Sequence, residues 1–307
     1  MINYDVLIIG AGPAGLTCAI ELAKKNISCL LLEKKENLAG TVCGDGVSAY
    51  SIELIKKIGI SIDSLRGKKV YYKKEYRGNN SKTFSFYELF GSNYELGVSR
   101  DILDNIMLKY ATEQNIPIVF NKPCKEIKKN DDGLYIINEE YGSRYLVYAC
   151  GVTGGTNLGF HYSKDLPVGI SGRISGVCTT LEDDTFHYFF SEKYGDGYGW
   201  IFPVGNNLWN IGVWSHNKKK ELKELYYELE KKFFNEESFI YDRKPQGRVI
   251  GAGKCVMPDD SRAFCIGDCA LSANSLSGEG ISYALESGIN VSNLIASQIT
   301  KGMNTLN

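Results

Sequence analysis

The sequence is short of histidine, methionine and proline: 307 residues hold 3 His, 4 Met and 7 Pro. His161, His187 and His216 are scattered, and no two of the nine cysteines form a C-x-x-C pair, so zinc-ligand spacing is absent and no metal site is expected. There is no charge excess either. Against 35 Lys and Arg stand 36 Asp and Glu, for a net charge of −1. A nucleic-acid partner would need a clustered basic excess, so none is expected. No apolar run reaches the roughly 20 residues that span a bilayer. The stretch from Val6 to Ile20 is interrupted by Gly10, Gly12, Pro13 and Gly15. The N-terminus MINYDVLIIG carries no basic segment before its apolar run, so no leader is expected. Nine cysteines cannot pair completely, and a reducing cytoplasm with free thiols is the expected setting.

Glycine is plentiful, at 33 residues, and 43% of the chain is hydrophobic, as in an ordinary folded protein. The length suits about two domains. Val6-Leu7-Ile8-Ile9 reads as a strand buried on both faces. Gly10-Ala11-Gly12-Pro13-Ala14-Gly15 follows, and Leu16, Ala19, Ile20 and Ala23 then recur at helical spacing. A second apolar run, from Ile27 to Leu32, ends at Glu33 and Lys34. Strand, glycine turn, helix, strand and acid form the dinucleotide-binding fingerprint. In it Gly10 allows the tight turn, Gly12 lets backbone approach a pyrophosphate, and Gly15 allows close helix–strand packing. The helix start, with Pro13 and Ala14, offers free N–H groups to phosphates. Glu33 suits ribose hydroxyls and would repel a 2′-phosphate, which disfavours NADP here. These features alone do not separate FAD from NAD.

The far end of the chain does. Ala263-Phe264-Cys265-Ile266-Gly267-Asp268 reads as a buried strand ending in Gly-Asp. Ser277-Gly278-Glu279-Gly280 then opens a helix whose face is Ile281, Ala284, Leu285, Gly288, Val291, Leu294 and Ile295, ending near Ile299. A nicotinamide domain gives no reason for this second glycine-rich helix start. FAD, with its ribityl chain and ring, does.

GAGPAG with Glu33, then Ser99-Arg100-Asp101, then GDCALSANSLSGEGISYALESG, together resemble the FAD-dependent hydroxylase-like superfamily. Cys43-Gly44-Asp45-Gly46-Val47-Ser48 resembles the Cys-Gly-Glu-Gly-x-Ser segment of geranylgeranyl reductases. Gly197-Tyr198-Gly199-Trp200-Ile201-Phe202-Pro203 with Asn210-Ile211-Gly212 resembles that family's aromatic signature. The resemblance covers most of the chain. It implies FAD as cofactor, with Gly10, Gly12, Pro13, Ala14, Gly15, Glu33 and Lys34 at its ADP half. It places Cys43, Gly44 and Arg100 near the ring, diphosphate or ribityl region, with Gly267 and Asp268 at the ribityl chain or diphosphate. Gly278, Glu279, Gly280 and Ile281 run along the isoalloxazine. Three departures stand out. Cys150-Gly151 replaces a usual Asp-Gly, Ser275 replaces a usual Pro, and the chain stops at Asn307 where family members commonly continue. Elements that roof a long lipid tunnel are therefore expected to be missing.

The expected fold class is α/β: a Rossmann-like FAD-binding domain at 1–67, 94–160 and 247–307, interleaved with an antiparallel-sheet substrate domain at 68–93 and 161–246. The middle FAD segment opens with a helix capped by Ser99, with Ile102, Leu103, Ile106 and Met107 on one face. The substrate domain should hold a meander over 185–191, 198–204 and 208–214, split by Gly-Asp-Gly and Gly-Asn-Asn turns. Alternation puts Tyr198, Trp200 and Phe202 on one side. A helix over 218–234 should turn Leu222, Leu225, Tyr226 and Leu229 inward.

The catalytic candidates are Cys43, Tyr198 and Trp200. A thiol at Cys43 could supply a proton after hydride transfer, whereas a free Cys is otherwise a core filler. The other eight cysteines read as fillers, Asp45 as a solvated loop acid, and His187 as structural. Three functions compete. The first is a reductase that moves a hydride to a double bond of an isoprenoid or other apolar substrate. It would take electrons from an external donor, NAD(P)H or a reduced carrier protein, and touch membrane surfaces peripherally. The second is a monooxygenase or halogenase-like enzyme, although the Trp-x-Trp-x-Ile-Pro string of halogenases is absent. The third is a non-catalytic FAD-binding redox module.

Overall fold

The run Val6–Ile9 is buried at the centre of a seven-stranded sheet in the computed structural model. The structure describes residues 2–178, 180–235 and 239–304, without the side chains of 302–304. Residues 1 and 305–307 of the outer expected segments, and 179 and 236–238 of the insertion, lie outside the described residues. Strand Ile2–Ile9 pairs in parallel with Cys29–Leu32 on one side and Tyr141–Tyr148 on the other. Ile118–Val119 extends one edge in parallel, and Ala263–Cys265 joins Tyr141–Tyr148 in parallel. Tyr135–Ile137 and Ile127–Lys129 add an antiparallel margin. Strands covered on both faces must be apolar throughout, which is why these runs do not alternate.

Among the described residues the α-helices follow in chain order: α1 (Pro13–Ala23), α2 (Ala49–Lys57), α3 (Phe86–Phe90), α4 (Arg100–Glu113), α5 (Gly151–Asn157), α6 (Leu222–Phe233) and α7 (Ile281–Asn304). Ser48 and Ser99 cap α2 and α4 through their side chains. Helix α7 packs on α1, and small residues permit it: a Cβ on Gly288 would lie 2.7 Å from the Ala14 carbonyl oxygen. The face expected of α7 is buried except for Val291, which is half-buried, and Leu294, which is exposed, and the helix continues past Ile299 to Asn304. In α4, Leu103 and Met107 are buried but Ile102 is exposed, because it lies off the stripe that packs on α1. Helix α6 starts at Leu222, four residues later than its charge pattern suggests, with Leu222, Leu225, Tyr226 and Leu229 all buried.

A second seven-stranded sheet runs in the order Phe239–Val249, Val168–Gly176, Leu208–Ser215, Tyr198–Gly205, Thr185–Phe190, Tyr72–Arg77, Asn80–Ser85. Its pairs are antiparallel except one. Thr185–Phe190 runs parallel to Tyr72–Arg77, because the hairpin at 72–85 arrives from a distant part of the chain. A small third sheet joins Gly46–Val47, Glu95–Gly97 and Lys68–Val70. It links the two large sheets at the point where the CGDG loop enters.

Candidate active site

A cavity of about 850 Å³ opens between the two large sheets. Gly10, Gly12, Pro13, Ala14, Glu33, Lys34, Cys43, Gly44, Arg100, Gly267, Asp268, Gly278, Glu279, Gly280 and Ile281 line it, as do Tyr198 and Trp200. Gly15 does not. A Cβ there would lie 2.0 Å from the Gly10 carbonyl oxygen, so this glycine serves the packing of α1 on the turn.

The turn fits a dinucleotide. Gly10 has φ +108, and a Cβ on it would meet the Ala149 oxygen at 2.6 Å. A Cβ on Gly12 would meet nothing within 4 Å, so its backbone borders open space. Helix α1 begins at this point with no side-chain cap, leaving its first N–H groups for a ligand. Glu33 is buried and braces the turn. One carboxylate oxygen accepts from the Ala11 N–H at 2.8 Å and the other from the Lys35 N–H at 2.9 Å. Across the cavity Gly267 has φ +59 and packs against Ala14, so the two glycine-rich ends of the chain meet. Asp268 lies 3.3 Å from Arg248.

The CGDG loop is locked to the second sheet by Asn210. Its Oδ1 accepts from Trp200 Nε1 at 2.8 Å and from Ser171 Oγ at 3.0 Å. Its Nδ2 donates to the Cys43 carbonyl at 2.8 Å and to Asp45 Oδ2 at 2.7 Å. Asp45 is not the solvated acid its loop position suggests. It is 0% exposed. It accepts from the Arg100 N–H at 3.0 Å and faces Arg173 Nη1 at 3.3 Å. Burial pushes its carboxyl up, opposed by Arg173 and Arg243. Arg173 also binds Asp101 at 2.6 Å and Asp242 at 2.7 Å. Arg243 donates to the Thr41 carbonyl at 2.6 Å.

Trp200 lies between two glycines of the signature strings. A Cβ on Gly212 would sit 2.0 Å from its Cζ2, and one on Gly44 would sit 3.4 Å from its Nε1. Tyr198 donates its hydroxyl to the Ser277 carbonyl at 2.5 Å, tying the second sheet to the loop before α7. Arg100 forms a two-pronged pair with Asp104 at 3.0 Å on both arms. The Cys43 thiol lies by Arg100, and burial pushes it up from its ordinary range.

Beside this loop the cavity wall is aromatic: Phe86, Phe186, Tyr188, Phe202 and Trp214. Two acids border it. Glu279 accepts from Ser48 Oγ at 2.6 Å and from Ser282 Oγ at 2.8 Å. Glu95 is 8% exposed, accepts among the described residues a single long bond, from the Ala49 N–H at 3.3 Å, and is raised to about 7 by burial. Glu95, Arg173 and Arg243 carried no sequence signal, because each lies outside a motif. Asn210 did, as part of Asn-x-Gly.

All nine cysteines are free. Cys18 and Cys29 are buried fillers, but Cys255 is exposed, and Cys124 and Cys150 line the cavity. Cys269 Sγ lies 3.8 Å from both Cys150 Sγ and Cys265 Sγ, with the Tyr162 hydroxyl at 3.5 Å. The apparent fillers at the Gly-Asp turn thus form one cluster. His187 is structural: its ring bonds the Tyr76 hydroxyl and the Glu182 carbonyl. Among the described residues no group of three His, Cys, Asp or Glu could hold a metal ion.

The model of the family described as "FAD binding domain" matches residues 3–239. A digeranylgeranylglycerophospholipid reductase of Methanococcoides burtonii is 27% identical over 331 aligned positions, covering 97% of this chain and 76% of that protein. A menaquinone reductase of Mycobacterium tuberculosis is 26% identical over 321 positions, covering 93% and 75%. A geranylgeranyl bacteriochlorophyll reductase-like structure from Thermoplasma acidophilum superposes with a TM-score of 0.83 at 20% identity. That match covers 98% of this chain and 80% of that one, so the fold is shared.

Proposed function

The chain belongs to the FAD binding domain family, and from that premise we propose that it is a FAD-dependent reductase of a carbon–carbon double bond in an isoprenoid or other apolar substrate. One observation carries the reading: the CGDG loop, held by Asn210, closes one side of a cavity whose neighbouring wall is aromatic. The reductase names of relatives that span nearly the whole chain support it.

In this proposal the α1 N-terminus and Gly12 take the diphosphate, and Glu33 takes the ribose. Arg100 and Asp268 flank the ribityl chain, and Gly278–Ile281 run along the ring. Bound FAD would supply a hydride to the double bond. The protein orients substrate and cofactor and excludes water with the aromatic wall. Cys43, Tyr198 and Trp200 border the reacting carbons. Residues 1–67, 94–160 and 247–307 serve the cofactor, and 68–93 with 161–246 serve the substrate. An external donor, NAD(P)H or a reduced carrier protein, supplies electrons.

Peripheral membrane contact belongs to the same proposal. Phe90 and Leu276 border the cavity and are 66% and 88% exposed. No helix among the described residues is long and apolar enough to cross a membrane. An apolar substrate would then be collected from a lipid surface.

The test is anaerobic incubation of the reduced holoenzyme with geranylgeranyl lipids and shorter polyprenyl compounds. A product heavier by two hydrogens is expected. No such product sinks the reading, and gain of one oxygen under air moves the enzyme to the monooxygenase class.

A further inference from the structure

Reduction of a double bond consumes a proton as well as a hydride, and the proton must come from a group that is protonated, reachable and renewable. Cys43 meets this poorly. Burial holds its thiol above the ordinary range despite Arg100 beside it, so it gives up a proton reluctantly, and its backbone is clamped by Asn210 and Ser171. The aromatic chamber offers a different group.

We propose that Glu95 is the acid that protonates the substrate carbon. This rests on the reductase reading above. Glu95 sits on the short strand Glu95–Gly97, lines the cavity, and has one long hydrogen bond, from the Ala49 N–H at the start of α2. The charged and titratable groups around it can be named element by element. Glu279, on the loop before α7, is a like charge tied up by Ser48 and Ser282. Lys73, on Tyr72–Arg77, pairs with Glu75 at 2.9 Å and lies over the Tyr188 ring at 4.7 Å. Tyr188, on Thr185–Phe190, is half-buried, and desolvation pushes its hydroxyl well above the ordinary range. Lys69, on the strand paired to Glu95, turns to the Tyr94 ring at 4.9 Å.

No cation contacts Glu95 among the described residues, and the nearby acid has two hydroxyl donors that Glu95 lacks. A carboxyl that is desolvated, short of donors and without a cation partner favours its protonated form, and Glu95 stands in that position. In the step the Glu95 O–H bond breaks and a C–H bond forms at the alkene carbon that did not receive the hydride. The alkene is reduced by two electrons, which the bound cofactor gives up. The Glu95 carboxylate then regains a proton from water.

The experiment compares the wild-type holoenzyme with Glu95→Gln, a nearly isosteric change, by two readouts. In infrared difference spectra, a protonated-carboxyl C=O band should titrate near pH 7 in the wild type and be absent from the variant. Absence of that band from the wild type overturns the proposal whatever the activity. In turnover, the variant should lose about 10²-fold or more in the rate at which substrate reoxidises the reduced enzyme, the scale of general-acid catalysis. Its pH break near 7 should vanish, while substrate KM holds. A variant that reduces substrate at the wild-type rate and pH profile overturns Glu95 and leaves the reductase reading standing. A wild type that reduces no alkene overturns both.

Discussion

Asn210 Nδ2 donates to Asp45 Oδ2 at 2.7 Å, across 165 positions of sequence. The bond joins the signature strand of one sheet to the loop that serves the other. With its remaining bonds Asn210 spends every polar atom on Trp200, Ser171 and Cys43. Such fully satisfied buried networks specify one arrangement, and truncating one member strands the others.

Asn210→Ala should therefore cost about 3 kcal/mol, since a buried donor or acceptor left unpaired costs about 1–3 kcal/mol. Urea unfolding of variant and wild type measures this. A loss below about 1 kcal/mol would mean that water replaces the side chain.

Gly12→Ala and Gly15→Ala should separate binding from folding. A Cβ at Gly12 meets nothing within 4 Å, so that variant should unfold like the wild type but bind FAD at least about tenfold more weakly. A Cβ at Gly15 meets backbone at 2.0 Å, and overpacking of that kind costs about 1–3 kcal/mol. Flavin titration and urea midpoints on both variants check the contrast.

Gly212→Ala should push the Trp200 indole into the cavity, because the new methyl would lie 2.0 Å from Cζ2. Altered tryptophan emission together with a raised substrate KM is expected. An unchanged spectrum and unchanged turnover would show that the strand shifts instead.

Glu95 predicts a pH-dependent stability. Burial raises its carboxyl to about 7, above the ordinary 4.5 of a solvated glutamate. Its contribution is therefore fully present below 4.5 and is lost as pH rises through 7. At 1.36 kcal/mol per pKa unit the loss approaches about 3 kcal/mol. Glu95→Gln cannot titrate. Relative to the wild type it should gain stability from acid to mildly alkaline pH, as read from urea midpoints at each pH.

Oxidation by diamide should link Cys269 to Cys150 or Cys265 before any other pair. The sulfurs stand 3.8 Å apart, and side-chain rotation can bring them to the roughly 2.05 Å of a disulfide. Peptide mapping reads the pairing, and a first cross-link at Cys255 would refute it.

Local sequence carried much of this. The strand at Val6–Ile9, the glycine turn and α1 follow from periodicity and from the fixed needs of a tight turn, and they fall where the sequence places them. So do the meander strands and the cap Ser99. Helix ends were less legible. Helix α6 starts late and α7 runs on, because charge pattern alone does not say where packing stops.

The chain by itself determined the α/β class, the family and the glycine-rich and aromatic motifs that border the cavity, because those needs are local: a turn without a Cβ, an apolar run, an acid at a strand end. Tertiary structure decided how distant groups were partnered. It buried Asp45 among arginines, set Asn210 against Trp200, gathered three cysteines and left Glu95 beside Glu279 with one weak bond. A carboxyl's protonation depends on desolvation and on charges brought from other strands, and neither can be read along a single segment.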